Sequence, residues 1–159
     1  MQRCKGFTLI ELLMAIVILI IIAAIGWVNL HAYTLNRNLR SAARDIASDF
    51  SLCKQRAVSE NNTYQIVFNK AESSYAIQTV TGVPPAVTKL LSSFGSDISI
   101  ISADFGAASS QTVTFNTRGT VTPLGNPAGD GVVLQNSRNS KATITVNTMG
   151  RTNVTFDIK

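Results

Sequence analysis

The sequence predicts an α+β fold: a long N-terminal helix, membrane-spanning in its first half, packed on a mostly antiparallel β-sheet domain. Three observations carry this. A run without a charged residue extends from Leu12 to Val28. Beyond it the apolar spacing stays helical but becomes amphipathic to about Ser59, and after Asn62 the composition turns to Thr, Ser, Val and Asn in alternating patterns.

Composition narrows the function. The 159 residues suffice for one domain with a modest core. Lys and Arg number 14 against 9 Asp and Glu, a formal +5, but only 14% of residues are charged, well below the roughly 25% of an ordinary soluble domain. With one histidine, His31, and two cysteines, Cys4 and Cys53, there is no ligand set for zinc. Neither paired carboxylates nor a nucleophile–base spacing is visible, so no enzymatic activity, metal or cofactor is expected.

The first element is the apolar helix. Counting back to Phe7, Glu11 is its only charge, and Phe7 to Val28 makes about 33 Å of helix against a bilayer core of about 30 Å. A cleaved secretory signal would need a shorter apolar stretch and an Ala-x-Ala site after it, and neither is present. Arg3 and Lys5 precede the span directly and hold the amino terminus in the cytoplasm, while the long domain that follows is translocated.

The residues Gly6-Phe7-Thr8-Leu9-Ile10-Glu11-Leu12, followed by that run, resemble the class III signal of type IV pilins and pseudopilins. The resemblance implies that a prepilin peptidase cuts between Gly6 and Phe7 and that Phe7 becomes N-methylated, residues 1–6 leaving as a leader. A carboxylate inside a membrane costs about 2.5–3.5 kcal/mol. Glu11 therefore either reaches headgroups and water or neutralises the new terminal amine of a neighbouring subunit, which would set the axial register of a filament. Cleavage removes Cys4, leaving Cys53 without an internal partner. Major type IV pilins commonly close a C-terminal loop with a disulfide and carry a proline late in the membrane helix; here the first proline is Pro84. Both departures weigh toward a minor pilin or pseudopilin with an unbroken helix, Gly26 being its one weak point.

From residue 29 to 60 the helix is amphipathic. Leu35, Leu39, Ala42, Ala43, Ile46, Phe50, Cys53 and Ala57 form an apolar stripe that covers the sheet, and Glu60-Asn61-Asn62 ends it. Cys53 reads as a buried small hydrophobe. Arg37, Arg40 and Arg44 form a headgroup- or subunit-facing row, and Trp27, His31 and Tyr33 an interfacial belt.

Strands are expected at 64–68, 74–78, 112–115, 132–134, 142–146 and 153–158, with loops at 82–86 and 122–131. Arg44 to Val67 leading through Asn61-Asn62 into a strand, Phe115-Asn116-Thr117-Arg118-Gly119 and Gly150-Arg151 resemble the FimT and GspH pseudopilins. Some FimT-like competence proteins bind DNA through a Gly-Arg-x-Arg element; the stretch here is Gly150-Arg151-Thr152-Asn153, so Asn153 replaces the second arginine. Arg151 with Gly150, Arg118, Arg138 and Lys141 would make a weak phosphate-binding patch, against the simpler reading of solvated turn residues.

The expected organisation is a leader at 1–6, a transmembrane filament-core helix at 7–28, its amphipathic continuation at 29–60 and a β-rich periplasmic head at 61–159. The implied function is a structural minor subunit of a type II secretion pseudopilus or type IV pilus, with a DNA-capturing pilus-tip protein as the alternative. The implied partners are other pilin subunits, prepilin peptidase and inner-membrane lipid, with DNA at most weakly bound. The protein would sit in the bacterial inner membrane and then in the filament.

Overall fold

Helix α1 occupies Leu9–Ser59 in the computed structural model, which describes residues 7–82, 85–106, 110–126 and 130–159, without the side chains of 25–32. It starts with a capping box. Thr8 is the N-cap: its hydroxyl accepts the Glu11 N–H at 3.3 Å, and Glu11 Oε2 accepts the Thr8 N–H at 3.3 Å, so two donors the first turn cannot satisfy are paired reciprocally. The helix continues through Gly26 and stops where Asn61 adopts φ 50, the left-handed conformation asparagine tolerates.

The chain forms two compact units, Met1–Thr34 and Leu35–Lys159. In the first, the described apolar side chains of α1 from Leu9 to Ile22 are solvent-facing. The second contains the amphipathic part of α1 and nine strands. Its five-stranded sheet has the order β3-β2-β1-β5-β6, built from β1 (Tyr64–Asn69), β2 (Ser74–Thr79), β3 (Val87–Leu90), β5 (Thr112–Phe115) and β6 (Val121–Thr122). The four-stranded sheet has the order β4-β7-β8-β9, from β4 (Ser99–Asp104), β7 (Gly131–Gln135), β8 (Lys141–Val146) and β9 (Thr152–Asp157). All pairings between these strands are antiparallel. The α+β class expected from the pattern is the class observed. The spacing did not reveal β3, β4 or β6, and the expected 122–131 loop is entered from β6 and left through β7; residues 83–84 and 127–129 of the two expected loops lie outside the described residues.

Local chemistry explains the joints. Between β1 and β2, Asn69 Oδ1 accepts the N–H groups of Ala71 and Glu72 at 3.1 and 3.3 Å, folding the turn onto its own backbone. Asp130 gathers two loops: its Oδ1 accepts from the N–H groups of Gly106 at 2.6 Å and Asn126 at 3.2 Å, its Oδ2 from Gly125 at 2.7 Å.

The core sits under the second half of α1. Leu39, Ala42, Ala43, Ile46, Phe50, Cys53 and Ala57 are all fully buried, at the steps of three and four that line one helix face. Phe50 meets rings from both sheets: Phe68 of β1 at 6.2 Å, Phe115 of β5 at 5.7 Å and Phe105, just past β4, at 6.4 Å between centroids. Burial also pushes the Cys53 thiol up to about 12, with the nearby Asp49 carboxylate adding to it, so the thiol stays protonated and inert.

Candidate functional site

The residues singled out in the sequence fall into three places. The first is the start of α1. Phe7 is 85% exposed, Gly6 lies outside the described residues, and Glu11 is engaged locally, since its Oε2 also accepts from the Thr8 hydroxyl at 3.3 Å. These bonds use one carboxylate oxygen and leave the other out of the cap. The signal for the cap was present as Thr8-x-x-Glu11 ahead of an apolar run, and the sequence reading passed over it in favour of the carboxylate's charge. Among the described residues no helix is long and apolar enough to cross a membrane; the described side chains of the apolar run end at Ala24, and the rest of the expected span, with Trp27 and His31, lies outside them.

The second place is a pair of turns beside α1. The turn from Asn116 to Thr120 carries Arg118 and is closed by the Gly119 N–H donating to the Asn116 carbonyl at 2.8 Å. The turn between β8 and β9 carries Arg151; Asn147 Oδ1 accepts from the N–H groups of Met149 at 3.1 Å and Arg151 at 2.8 Å. Gly119 and Gly150 take φ of 76 and 67, a left-handed conformation that favours glycine, and at Gly150 the Lys54 side chain crowds the space a side chain would take. A Cβ there would lie 2.9 Å from Lys54 Cδ and 3.4 Å from the Gly119 carbonyl oxygen. Lys54 Nζ donates to the Met149 carbonyl at 2.6 Å, tying the turn to the helix. The fold thus brings the turns of Arg118 and Arg151 together against Lys54, a helix residue the sequence reading did not include.

Arg138 and Lys141 are placed elsewhere. Arg138 lies in the β7–β8 turn, where its Nε donates to the Lys159 carbonyl at 3.4 Å, and Lys141 opens β8 opposite Asp157. The length of β8 separates them from the Arg151 turn by about 20 Å. One four-residue patch with Arg118 and Arg151 is therefore not what the topology builds. Of the arginine row on α1, Arg37, Arg40 and Arg44 are exposed, and the Arg40 guanidinium lies 5.7 Å from the centre of the Phe156 ring, a cation–π contact.

The third place was not foreseen. Asp45 and Asp49, one turn apart on α1, both bind Lys89 of β3, at 2.8 and 2.7 Å, and both accept from the Tyr75 hydroxyl of β2, at 2.9 and 2.6 Å. Burial pushes the Tyr75 phenol up, and the Asp49 carboxylate that its hydroxyl serves pushes it further. Burial alone would lower Lys89, but the two carboxylates outweigh it and hold its ammonium above the usual range. Fully protonated donors on two carboxylates make a pin between helix and sheet rather than a proton-transfer site. Among the described residues no group of His, Cys, Asp and Glu could hold a metal ion.

Residues 1–27 match the prokaryotic N-terminal methylation motif, and residues 42–157 match the family described as type II transport protein GspH. No curated protein matches the chain. Among solved structures, the minor pseudopilin EpsH from the type 2 secretion system of Vibrio cholerae is similar with a TM-score of 0.58 at 10% identity, over 75% of this chain and 97% of that one. The type IV minor pilin FimU of Pseudomonas aeruginosa is similar with a TM-score of 0.54 at 15% identity, over 77% and 92%. At such identities these two establish the fold, a helix on antiparallel sheets. The GspH match takes in most of the chain, and with the methylation motif ahead of it the chain belongs to the GspH family of type IV pilin-like minor pseudopilins.

Proposed function

We propose that this chain is a structural minor subunit of a type II secretion pseudopilus or type IV pilus, cut between Gly6 and Phe7, N-methylated at Phe7 and anchored in the inner membrane with its head in the periplasm. The observation that carries this is the start of α1, where solvent-facing Leu, Ile and Val side chains surround the helix and Glu11 is the lone charge. A helix apolar all round is stable only in lipid or in a bundle of like helices, and a subunit that passes from one to the other uses both. Intact-mass analysis of membrane protein should give a chain beginning at methylated Phe7; a terminus near Ala23 or Ala24 would mean an ordinary signal peptide. Glu11→Gln separates the two roles of that residue, because glutamine keeps the capping box and loses the charge. Reduced crosslinking to filament subunits in Glu11→Gln supports neutralisation of a neighbour's amine, and unchanged crosslinking leaves Glu11 as a cap.

A second reading, weak DNA capture at the pilus tip, draws support from the two turns that bring Arg118 and Arg151 beside Lys54. So few cations release few counterions, and such binding fades with a slope of about −0.9 per phosphate contact as salt rises. Mobility shifts at two salt concentrations test it: Arg151→Ala should abolish the shift and Asn153→Arg strengthen it. A shift insensitive to both removes the reading.

A further inference from the structure

The end of the head that α1 enters is built around Asn36. Its Nδ2 donates to the Lys159 carbonyl at 3.4 Å, and its Oδ1 accepts from Asn136 Nδ2 at 3.0 Å. The β7–β8 turn and the chain leaving β9 are thereby gathered beside Arg37, the next residue of the helix. Arg138 of that turn donates through Nε to the same Lys159 carbonyl, and the Lys159 N–H donates to Ser140 Oγ at 2.9 Å. Arg37, Arg138, Lys141 and Lys159 therefore share one end of the head, and all are exposed.

Acids at this end are fewer. Asp97 accepts from the Ser137 hydroxyl at 3.4 Å, and Asp157 stands opposite Lys141 in the β8–β9 register. The adjoining β1–β2 turn adds Lys70 and Glu72, which cancel. Among the described residues, cations are thus in surplus here. The length of helix before Arg37 sets how far this surface lies from a bilayer. α1 is unbroken from Leu9 to Ser59, and the stretch from Val28, where the apolar run ends, to Arg37 makes about 14 Å of helix. A headgroup layer takes up roughly 6 Å of that. The remaining gap of about 8 Å is one Debye length at physiological salt, so these cations feel the charge of the headgroups. Arg118 and Arg151 lie about 20 Å further off, at the other end of the strands.

We propose that this end of the head docks on anionic phospholipid headgroups of the leaflet it faces, through Arg37, Arg138, Lys141 and Lys159. The inference rests on the anchored topology proposed above, since without a bilayer at Val28 the four cations face water. Phosphate is the group they fit: the guanidinium groups of Arg37 and Arg138 offer paired N–H donors to its oxygens, and the two ammonium groups add point charge. The Arg138 bond to Lys159 engages Nε and leaves the Nη donors out of it. A second copy of this chain is a poorer partner, because Asp45 and Asp49 are taken by Lys89 and Asp130 by the N–H groups of its loops. Docking holds the head against the leaflet while the subunit is in the membrane, and entry into a filament breaks the contact.

The test uses the full chain with Cys4→Ser and the buried Cys53 left in place, reconstituted in vesicles of phosphatidylcholine alone or mixed with phosphatidylglycerol. Flotation after an alkaline wash first establishes that the chain is anchored. A fluorophore is attached at Ser137→Cys, inside the patch, or at Thr148→Cys, at the far end of β8, and is quenched by a nitroxide carried on the lipid headgroups. Quenching at Ser137→Cys should exceed that at Thr148→Cys, rise with phosphatidylglycerol and fall with salt. Arg37→Gln should lower the ratio of docked to free heads about fivefold, the worth of one cation near an anionic surface. Arg56→Gln removes an equal exposed charge near the other end of the same helix and should leave the ratio unchanged. Lys141→Gln should act as Arg37→Gln does, and it decides the matter if Arg37→Gln disturbs the fold. With the chain floating, quenching indifferent to phosphatidylglycerol, equal losses from Arg37→Gln and Arg56→Gln, or quenching that follows the protein-to-lipid ratio, the mark of contact between copies, overturns the proposal. A chain that fails to float removes the anchored reading and takes the proposal with it.

Discussion

The two halves of α1 are both helical and both rich in large apolar side chains, and they meet opposite fates. Ile18 and Ile20 are 56% and 61% exposed, whereas Leu39, Ile46 and Phe50 are fully buried. In the second half the apolar residues occupy one stripe, and the arginines and aspartates fill the remainder; in the first half they surround the helix. A stripe needs one partner surface and finds it in the chain's own sheets. An apolar girdle cannot be covered by one face of one domain, so its partner has to be a lipid phase or several other helices. Burial within the chain and apolarity are therefore separate properties, and the gap between them marks where this protein depends on others.

The contrast is sharpened most by truncating one residue in each half. Phe50→Ala removes the ring that joins both sheets and should cost about 3–5 kcal/mol, seen as a large drop in the melting temperature of the head or as its failure to fold. Ile18→Ala should leave that transition unmoved and show itself in filament incorporation instead. A comparable loss of stability from Ile18→Ala would break the comparison.

A smaller effect tests the pin between α1 and the β2–β3 edge. Asp49→Ala leaves the buried Tyr75 hydroxyl and Lys89 with Asp45 alone and should cost about 2 kcal/mol, measured by denaturant unfolding. An unchanged midpoint would mean that Asp45 suffices to hold both donors.

The smallest effect depends on pH. Burial raises the Asp130 carboxyl, but the N–H groups of Gly125, Gly106 and Asn126 outweigh it and hold the group below the usual carboxylate range. The stability this confers is present above the unfolded value near 3.9 and is lost as pH falls through the lower folded value. Asp130→Asn should therefore narrow the stability difference between neutral pH and about pH 3, followed by thermal melts across that range. Parallel curves for wild type and Asp130→Asn would remove Asp130 from the acid response of the head.

Much of this was open to inspection in the linear chain because its causes are local. The stop at Asn61 needed only an asparagine after an amphipathic stripe, and the burial of Cys53 only its place on that stripe. β8 and β9 alternate regularly enough to be read directly. β3 and β4 were missed because their interactions are distant ones: β3 alternates poorly and is held by Lys89 to a helix 40 residues earlier, and the bulge in β4 breaks the period of two. The arginines show the same limit. Arg118, Arg138, Lys141 and Arg151 all looked like strand-end cations, but nothing in their spacing says which end of a sheet each occupies.

By itself the sequence carried the N-terminal methylation motif, the girdle of α1, the stripe that follows and the α+β class, since each rests on residue pattern along one element. Only the tertiary structure decided that Gly119 and Gly150 bring two turns together, that Lys89 closes on Asp45 and Asp49, and that Arg138 and Lys159 gather beside Arg37. Those outcomes depend on strand order, and strand order is set by contacts between residues far apart in the chain, which no local pattern encodes.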